Sequence, residues 1–229
     1  MDYLKSQVPE LIASAFFDAD SLAVAQKLLG KVLQVRQGPI WLMARIIETE
    51  AYCKKEKGSH ASLGLTHSRR ALFSKPGTIY MYYARGGDSL NFSCRGKGNA
   101  VLIKSGFPVA ASPEDKRVIT QMLKLNPTPQ GDARKVEKLC SGQSLLCKAL
   151  GLKVPDWNDQ QLDPDHFRLI DDGYRPSRMI QTTRLGIHPD RDAHLPYRFI
   201  DHAYASFCTK NPLTVRNWQI NRDYSILKP

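Results

Sequence analysis

The sequence predicts an α+β fold, a single domain built on a curved antiparallel β-sheet flanked by α-helices. Three observations predict it. Between residues 31 and 104, β-branched and aromatic runs recur with glycine-containing turns between them, the pattern of consecutive strands on short connections. On both sides of that region, apolar residues repeat at helical spacing. Nothing in the 229 residues resembles a long flexible linker, and one large domain can fill that length.

The elements follow in chain order. "FFDADSLAVAQKLLGKVL" carries Leu22, Ala25, Leu28 and Leu29 at helical spacing, with Asp18 or Asp20 as N-cap and Gly30 as the stop. Strands are expected at 31–36, 40–52, 78–84, 90–94 and 100–104. After "GFPV" the period changes. "SPEDKRVITQMLKL" repeats apolar side chains at Val118, Ile119, Met122 and Leu123, and "SGQSLLCKALGL" does so at Leu145, Leu146, Ala149 and Leu150, so both read as amphipathic helices. The Pro- and Asp-rich stretch 155–176 reads mostly as loop, after which "RMIQTTRLGI" and "YRFIDH" return to the sheet. There are no internal repeats or low-complexity tracts.

Composition narrows the function classes. An apolar fraction of 42% builds a core, while the longest apolar runs fall short of the ~18 residues of a membrane helix. The start, "MDYLKSQVPELIAS", has no basic segment followed by an apolar one, which argues against export. The five cysteines, Cys53, Cys94, Cys140, Cys147 and Cys208, are odd in number and form no CxxC pair, so buried reduced thiols are expected rather than disulfides or a zinc site. The expected location is the cytoplasm of a bacterial-type cell, or the nucleus if the cell is eukaryotic. Thirty-three Lys and Arg against 22 Asp and Glu leave +11, which favours a polyanionic partner such as nucleic acid.

The chemistry centres on "IIETEAY", residues 46–52. A period of two along 40–52 puts Leu42, Ala44, Ile46, Glu48, Glu50 and Tyr52 on one face. An ionised Glu is costly to bury alone, so two acids continuing an apolar row mark either an exposed strand end or a cleft. In a cleft, a carboxylate held ionised by a nearby cation can deprotonate water. Two neighbouring segments favour the cleft. The basic loop "KGSHASLGLTHSRRALFSKPG" offers His60, Arg69, Arg70 and Lys75 to phosphates or a base edge. In "TIYMYYARGGD" alternation puts Tyr80 and Tyr82 on one face and Tyr83 on the other, and aromatic faces beside cations suit stacking on an extruded base.

"ETEAY", "SHA", "F.KPGTIYMY", "LNFS" and "AVLIKS", in that order, resemble the alkyladenine (3-methyladenine) DNA glycosylases. The likeness extends to "FFD…VAQKLLGKVL" before them and to "GDARKVEKLCSGQSLLCKALGL", "RLGI" and "LPYRFI" after them, and so covers nearly the whole chain. It implies a monofunctional base-excision enzyme, a monomer by family default, acting on damaged purines in double-stranded DNA. By the same resemblance Glu50 matches the general base, and Tyr52, His60 and Tyr82 match the residues that sandwich a flipped purine. Asn91 matches the residue that discriminates against a guanine 2-amino group, and Lys104 stands where the family usually has an Arg that helps hold the catalytic water. Neither metal nor nucleotide cofactor is expected.

The chain departs from the family pattern in two places. "YYARGGDSLNFS" is one residue short and lacks the intercalating tyrosine, with Arg85 nearest that place and Tyr83 the alternative wedge. Lys104 keeps the charge of the usual Arg and loses its bidentate fork. Two rival readings stand beside the glycosylase: a DNA-binding protein with a lapsed site, and a glycosylase-lyase using Lys104 as a Schiff-base nucleophile. The latter ranks low because a nucleophilic amine must be neutral and a neighbouring carboxylate favours the ammonium form.

Overall fold

A computed structural model describes residues 2–3, 8–84, 86–112 and 116–228. The N-terminal strands β1 (Asp2–Tyr3) and β2 (Glu10–Leu11) precede helix α1, Ser21–Leu28. Asp20 is its N-cap, accepting from the Leu22 N–H at 2.9 Å, and Gly30 follows the last turn at φ +88°. Five strands then run in sequence: β3 (Val32–Gln37), β4 (Ile40–Tyr52), β5 (Ile79–Ala84), β6 (Gly87–Ser93) and β7 (Ala100–Ala110). Helices α2 (Arg117–Leu125), α3 (Gln143–Leu150) and the short α4 (Val154–Trp157) lead to β8 (Phe167–Asp171), β9 (Met179–Thr182), β10 (Arg198–Asp201) and β11 (Tyr224–Leu227).

Among the described residues these strands form one open, branched sheet of eleven strands, antiparallel except where β1 lies parallel to β7. The expected α+β class, antiparallel sheet and flanking helices are all present. β4 is the branch point: β7 runs along one edge from Met43 to Tyr52, while β3 pairs with its first half and β10 with Glu48–Glu50 on the other. A strand that long, shared by two partners on one edge, must bend, and the register with β7 shifts on both sides of Glu48.

Three expectations need correcting. β7 continues through "GFPV" to Ala110, because β4 templates it as far as Met43↔Val109. Within the supposed loop 155–176 lies β8, where Phe167, Leu169 and Ile170 are buried against β3; turn-forming Asp and Pro on either side hid a five-residue strand. "RMIQTTRLGI" stops being strand at Thr182, and "RLGI" leaves the sheet.

The main core lies between the sheet and α1, α2 and α3. α3 seats closely because two sheet positions have no side chain. A Cβ at Gly106 would meet Leu146 at 2.8 Å, and one at Gly87 would meet Ser144 at 2.5 Å. These glycines bring the start of α3, with Leu145 turned toward the cleft, up to the functional end of the sheet. No helix among the described residues is long and apolar enough to cross a membrane.

Candidate active site

Glu48 and Glu50 leave the apolar row at the register shifts. Ile46 packs in the main core, and Ile47 packs in a second cluster with Phe107, Ile180 and Ile200. Ile47 has no partner across the β4–β7 ladder, and neither does Lys104 on the facing strand. The single unbroken face drawn by a strict period of two is therefore interrupted, since each extra residue re-aims the side chains beyond it.

Glu48 sits in a closed socket. Its Oε1 accepts from Arg198 Nε at 2.7 Å and from Thr209 Oγ1 at 2.6 Å, and its Oε2 accepts from Ser105 Oγ at 2.5 Å and from the Thr209 N–H at 3.1 Å. Arg198 also pairs through Nη2 at 2.7 Å, and both side chains are fully buried. With about four lone-pair sites on a carboxylate, nothing is left for a reactant.

Glu50 is equally buried but is held more sparsely. The Tyr52 hydroxyl donates to Oε2 at 2.7 Å, the Leu185 N–H donates to Oε1 at 3.1 Å, and the Lys104 ammonium lies 3.4 Å from Oε1. Burial pushes the Glu50 pKa up, but Lys104, Arg198, the Tyr52 hydroxyl and the Leu185 N–H together outweigh it and hold the carboxyl below its ordinary range. Burial first, then the Glu50 charge, raise Tyr52 far above the usual phenol value, so it stays a donor.

The partners of Glu50 face a cleft of about 480 Å³, lined among others by Tyr52, Lys104 and Leu185. Its aromatic wall is Tyr80, Tyr82 and His60: the tyrosines stack at 5.4 Å, and His60 stands edge-on to Tyr82 at 4.5 Å with Nδ1 3.0 Å from the Tyr80 hydroxyl. Burial, then Arg69 and Arg191, lower the His60 pKa, so its ring is neutral at physiological pH. Asn91 is fixed on the same wall by donating Nδ2–H to the Tyr80 carbonyl at 3.0 Å. Tyr52, His60, Tyr82, Asn91 and Lys104 therefore line one cleft with Glu50 behind its wall.

The proposed DNA contacts are placed differently. Tyr83 is 66% exposed on the hairpin face opposite the cleft tyrosines, and Lys75 is exposed. Arg69 donates to the carbonyls of Gly64 and Leu63 at 3.0 and 3.2 Å, which braces the loop, and Arg70 pairs with Asp159 at 2.5 Å while half exposed. Arg85 lies outside the described residues.

Three cleft residues, and one buried arginine behind Tyr52, escaped sequence reasoning. Leu185 acts through its backbone, for which a sequence gives no signal. Gln143 sits at the first position of α3 and reaches Lys104. Arg191 donates to the Lys57 carbonyl at 2.8 Å and thereby ties the loop of His60 to the loop of Leu185. Arg184 of "RLGI" is buried, stacked 4.5 Å from the Tyr52 ring and paired with Glu56 at 2.5 Å; its place in a strand-like run disguised it. No group of three or more His, Cys, Asp or Glu side chains that could hold a metal ion occurs among the described residues.

The sequence model of the family described as Methylpurine-DNA glycosylase (MPG) matches residues 15–205, which include Glu50, Tyr52, His60, Tyr82, Asn91, Lys104 and Leu185. The chain belongs to the methylpurine-DNA glycosylase family. Its relatives include proteins named "Putative 3-methyladenine DNA glycosylase". One from Pseudomonas aeruginosa (strain UCBPP-PA14) is 58% identical over 216 residues, 94% of this chain and 90% of the relative. One from Pseudomonas savastanoi pv. phaseolicola is 55% identical over 221 residues, 96% and 98% of the two chains. One from Rhizobium etli is 37% identical over 186 residues, 81% and 82%. As a methylpurine-DNA glycosylase the protein is a hydrolase of N-glycosyl bonds, and its substrate is DNA.

Proposed function

We propose that this glycosylase is monofunctional and acts as one domain and as a monomer in the bacterial cytoplasm, flipping alkylated or deaminated purines out of duplex DNA and releasing them by hydrolysis. A glycosidic bond inside the base stack is out of reach of a buried carboxylate, and weakly paired lesions cost less to extrude. The cleft volume of about 480 Å³ lies within the ~300–1,000 Å³ of small-molecule sites. The purine would stack between Tyr52 on one side and His60 and Tyr82 on the other, with the fixed Asn91 amide excluding a 2-amino group.

One observation carries the mechanism: among the described residues, a buried Glu50 beside the Lys104 ammonium accepts only two hydrogen bonds, from Tyr52 and Leu185, and all three of these neighbours line the cleft. Glu50 takes a proton from water as the water oxygen bonds to C1′. The C1′–N bond breaks, and its electron pair leaves with the base. The same negative charge stabilises the oxocarbenium-like sugar. Cationic alkylated purines leave without an acid. Neutral hypoxanthine needs a proton on the ring.

The test is strand nicking on oligonucleotides carrying one N-methylpurine or one hypoxanthine. Monofunctional excision gives nicks only after alkali and no adduct with borohydride. Nicks without alkali, with a borohydride-trapped adduct lost in Lys104→Met, would make it a lyase. Lesion binding without base release would make the site lapsed.

A further inference from the structure

The lysine beside Glu50 is poorly suited to hold a fixed direction. An ammonium on a four-carbon stem is a point charge without the planar fork of an arginine, and its 3.4 Å approach to Glu50 is longer than the ~2.7–2.9 Å of a tight charge-assisted hydrogen bond. Something else must aim it. Lys104 Nζ donates to Gln143 Oε1 at 3.2 Å, and Gln143 Nε2 donates to Ser89 Oγ at 2.7 Å, with Ser89 fully buried.

Donor arithmetic fixes this arrangement. A lysine only donates, so the carboxamide must turn its oxygen to Lys104, and its NH₂ must then find an acceptor, which the Ser89 hydroxyl supplies. The backbone is held too. The Gly142 N–H donates to Ser105 Oγ at 3.0 Å, and Ser105 donates to Glu48. The Glu48 socket therefore anchors the segment that carries Gln143.

We infer that Gln143 is a positioning residue for base excision, which holds the Lys104 ammonium against Glu50 in place of the rigidity that an arginine would have supplied. The inference rests on the reading of Glu50 as general base. Gln143 also borders the cleft, and its action runs through Lys104 rather than through the purine. Lys104 itself lines the cleft, so the ammonium that Gln143 holds beside Glu50 also borders the space where the attacking water must sit.

The test is a double-mutant cycle on single-turnover excision, with Gln143→Met, Lys104→Met and the double variant, and with Glu50→Gln in the same assay. Gln143→Met alone should slow excision about tenfold, the equivalent of one charge-assisted hydrogen bond, with lesion-DNA Kd changed less than about threefold. In the Lys104→Met background it should cost nothing further. The acid limb of the rate profile should move to higher pH in Gln143→Met, because Glu50 faces Lys104 of β7, Arg198 of β10 and Tyr52 of its own strand, and only the first is loosened. Gln143→Asn, which retracts the oxygen by one methylene, should give a smaller loss of the same kind and replaces Gln143→Met if that variant does not fold.

Equal losses from Gln143→Met in both Lys104 backgrounds, or a loss confined to Kd, would overturn the inference. Unchanged excision by Glu50→Gln would instead remove the general base on which it rests, and that result is read independently of Gln143.

Discussion

Glu48 and Glu50 are two residues apart on one strand, both fully buried, both beside a cation, and they are built for different ends. Arg198, Ser105 and two donors from Thr209 fill the Glu48 carboxylate. Glu50 has one hydroxyl, one backbone N–H and a lysine at 3.4 Å, and those partners face an aromatic cleft. Burial and charge alone do not mark a catalytic carboxylate. Unfilled acceptor capacity beside a cleft is what separates the two.

Four substitutions sharpen or break this contrast, from the largest effect to the smallest. Glu50→Gln keeps the shape, and its one oxygen can still accept from the Leu185 N–H while its NH₂ donates to the Tyr52 hydroxyl, but it cannot take a proton, so single-turnover excision should fall about 10²–10⁴-fold while the melting temperature and lesion-DNA affinity hold. A variant that loses binding along with excision would make Glu50 part of the binding surface. Glu48→Ala strands the buried Arg198 guanidinium and should cost about 3–5 kcal/mol of stability, measured by denaturant unfolding. Denaturant midpoints equal to wild type would show that the socket is not a structural ion pair.

Lys104→Met acts on the pH dependence. The folded Glu50 pKa is depressed, so its charge favours folding above the unfolded value of about 4.3, and that gain is lost as pH falls through the lower folded value. Excision by the wild type should hold down to below that ordinary glutamate range. It should show no limb near the ~6.5 of a free imidazole, since His60 is held neutral. In Lys104→Met the acid limb should move up, and a profile unchanged from wild type would mean that the lysine does not hold Glu50 ionised. The smallest effect is expected at Tyr83, exposed on the hairpin. Tyr83→Ala should weaken lesion-specific binding by about 1–3 kcal/mol if it stacks in the duplex, and equal losses on undamaged DNA would reduce it to a general contact.

Much of this contrast was legible from residue order. The α1 cap, the run of strands through β7, two amphipathic helices and the acids of "ETEAY" all followed from local periodicity and capping. Alternation and the basic loop pointed to Tyr52, His60 and Tyr82, but their roles, and Asn91 and Lys104 altogether, were reached only through the ordered resemblance, because nothing in a strand tyrosine reveals what it faces. Which of the two acids is filled was not legible at all. That depends on Arg198 and Thr209, about 150 residues away, and on the two register shifts between β4 and β7 on either side of Glu48. β8 was lost because flanking Asp and Pro outweighed five residues of alternation, and Leu185 because a backbone N–H has no residue type.

The central claim is that the filled carboxylate supports the fold and the unfilled one performs the hydrolysis. Its most direct test is single-turnover release of one N-methylpurine from duplex DNA by Glu50→Gln and Glu48→Gln side by side, at a temperature where both are folded and with DNA fully bound. Loss of about 10²–10⁴-fold for Glu50→Gln, with Glu48→Gln within about tenfold of wild type, is the predicted result. Equal losses, or the larger loss at Glu48, would contradict it.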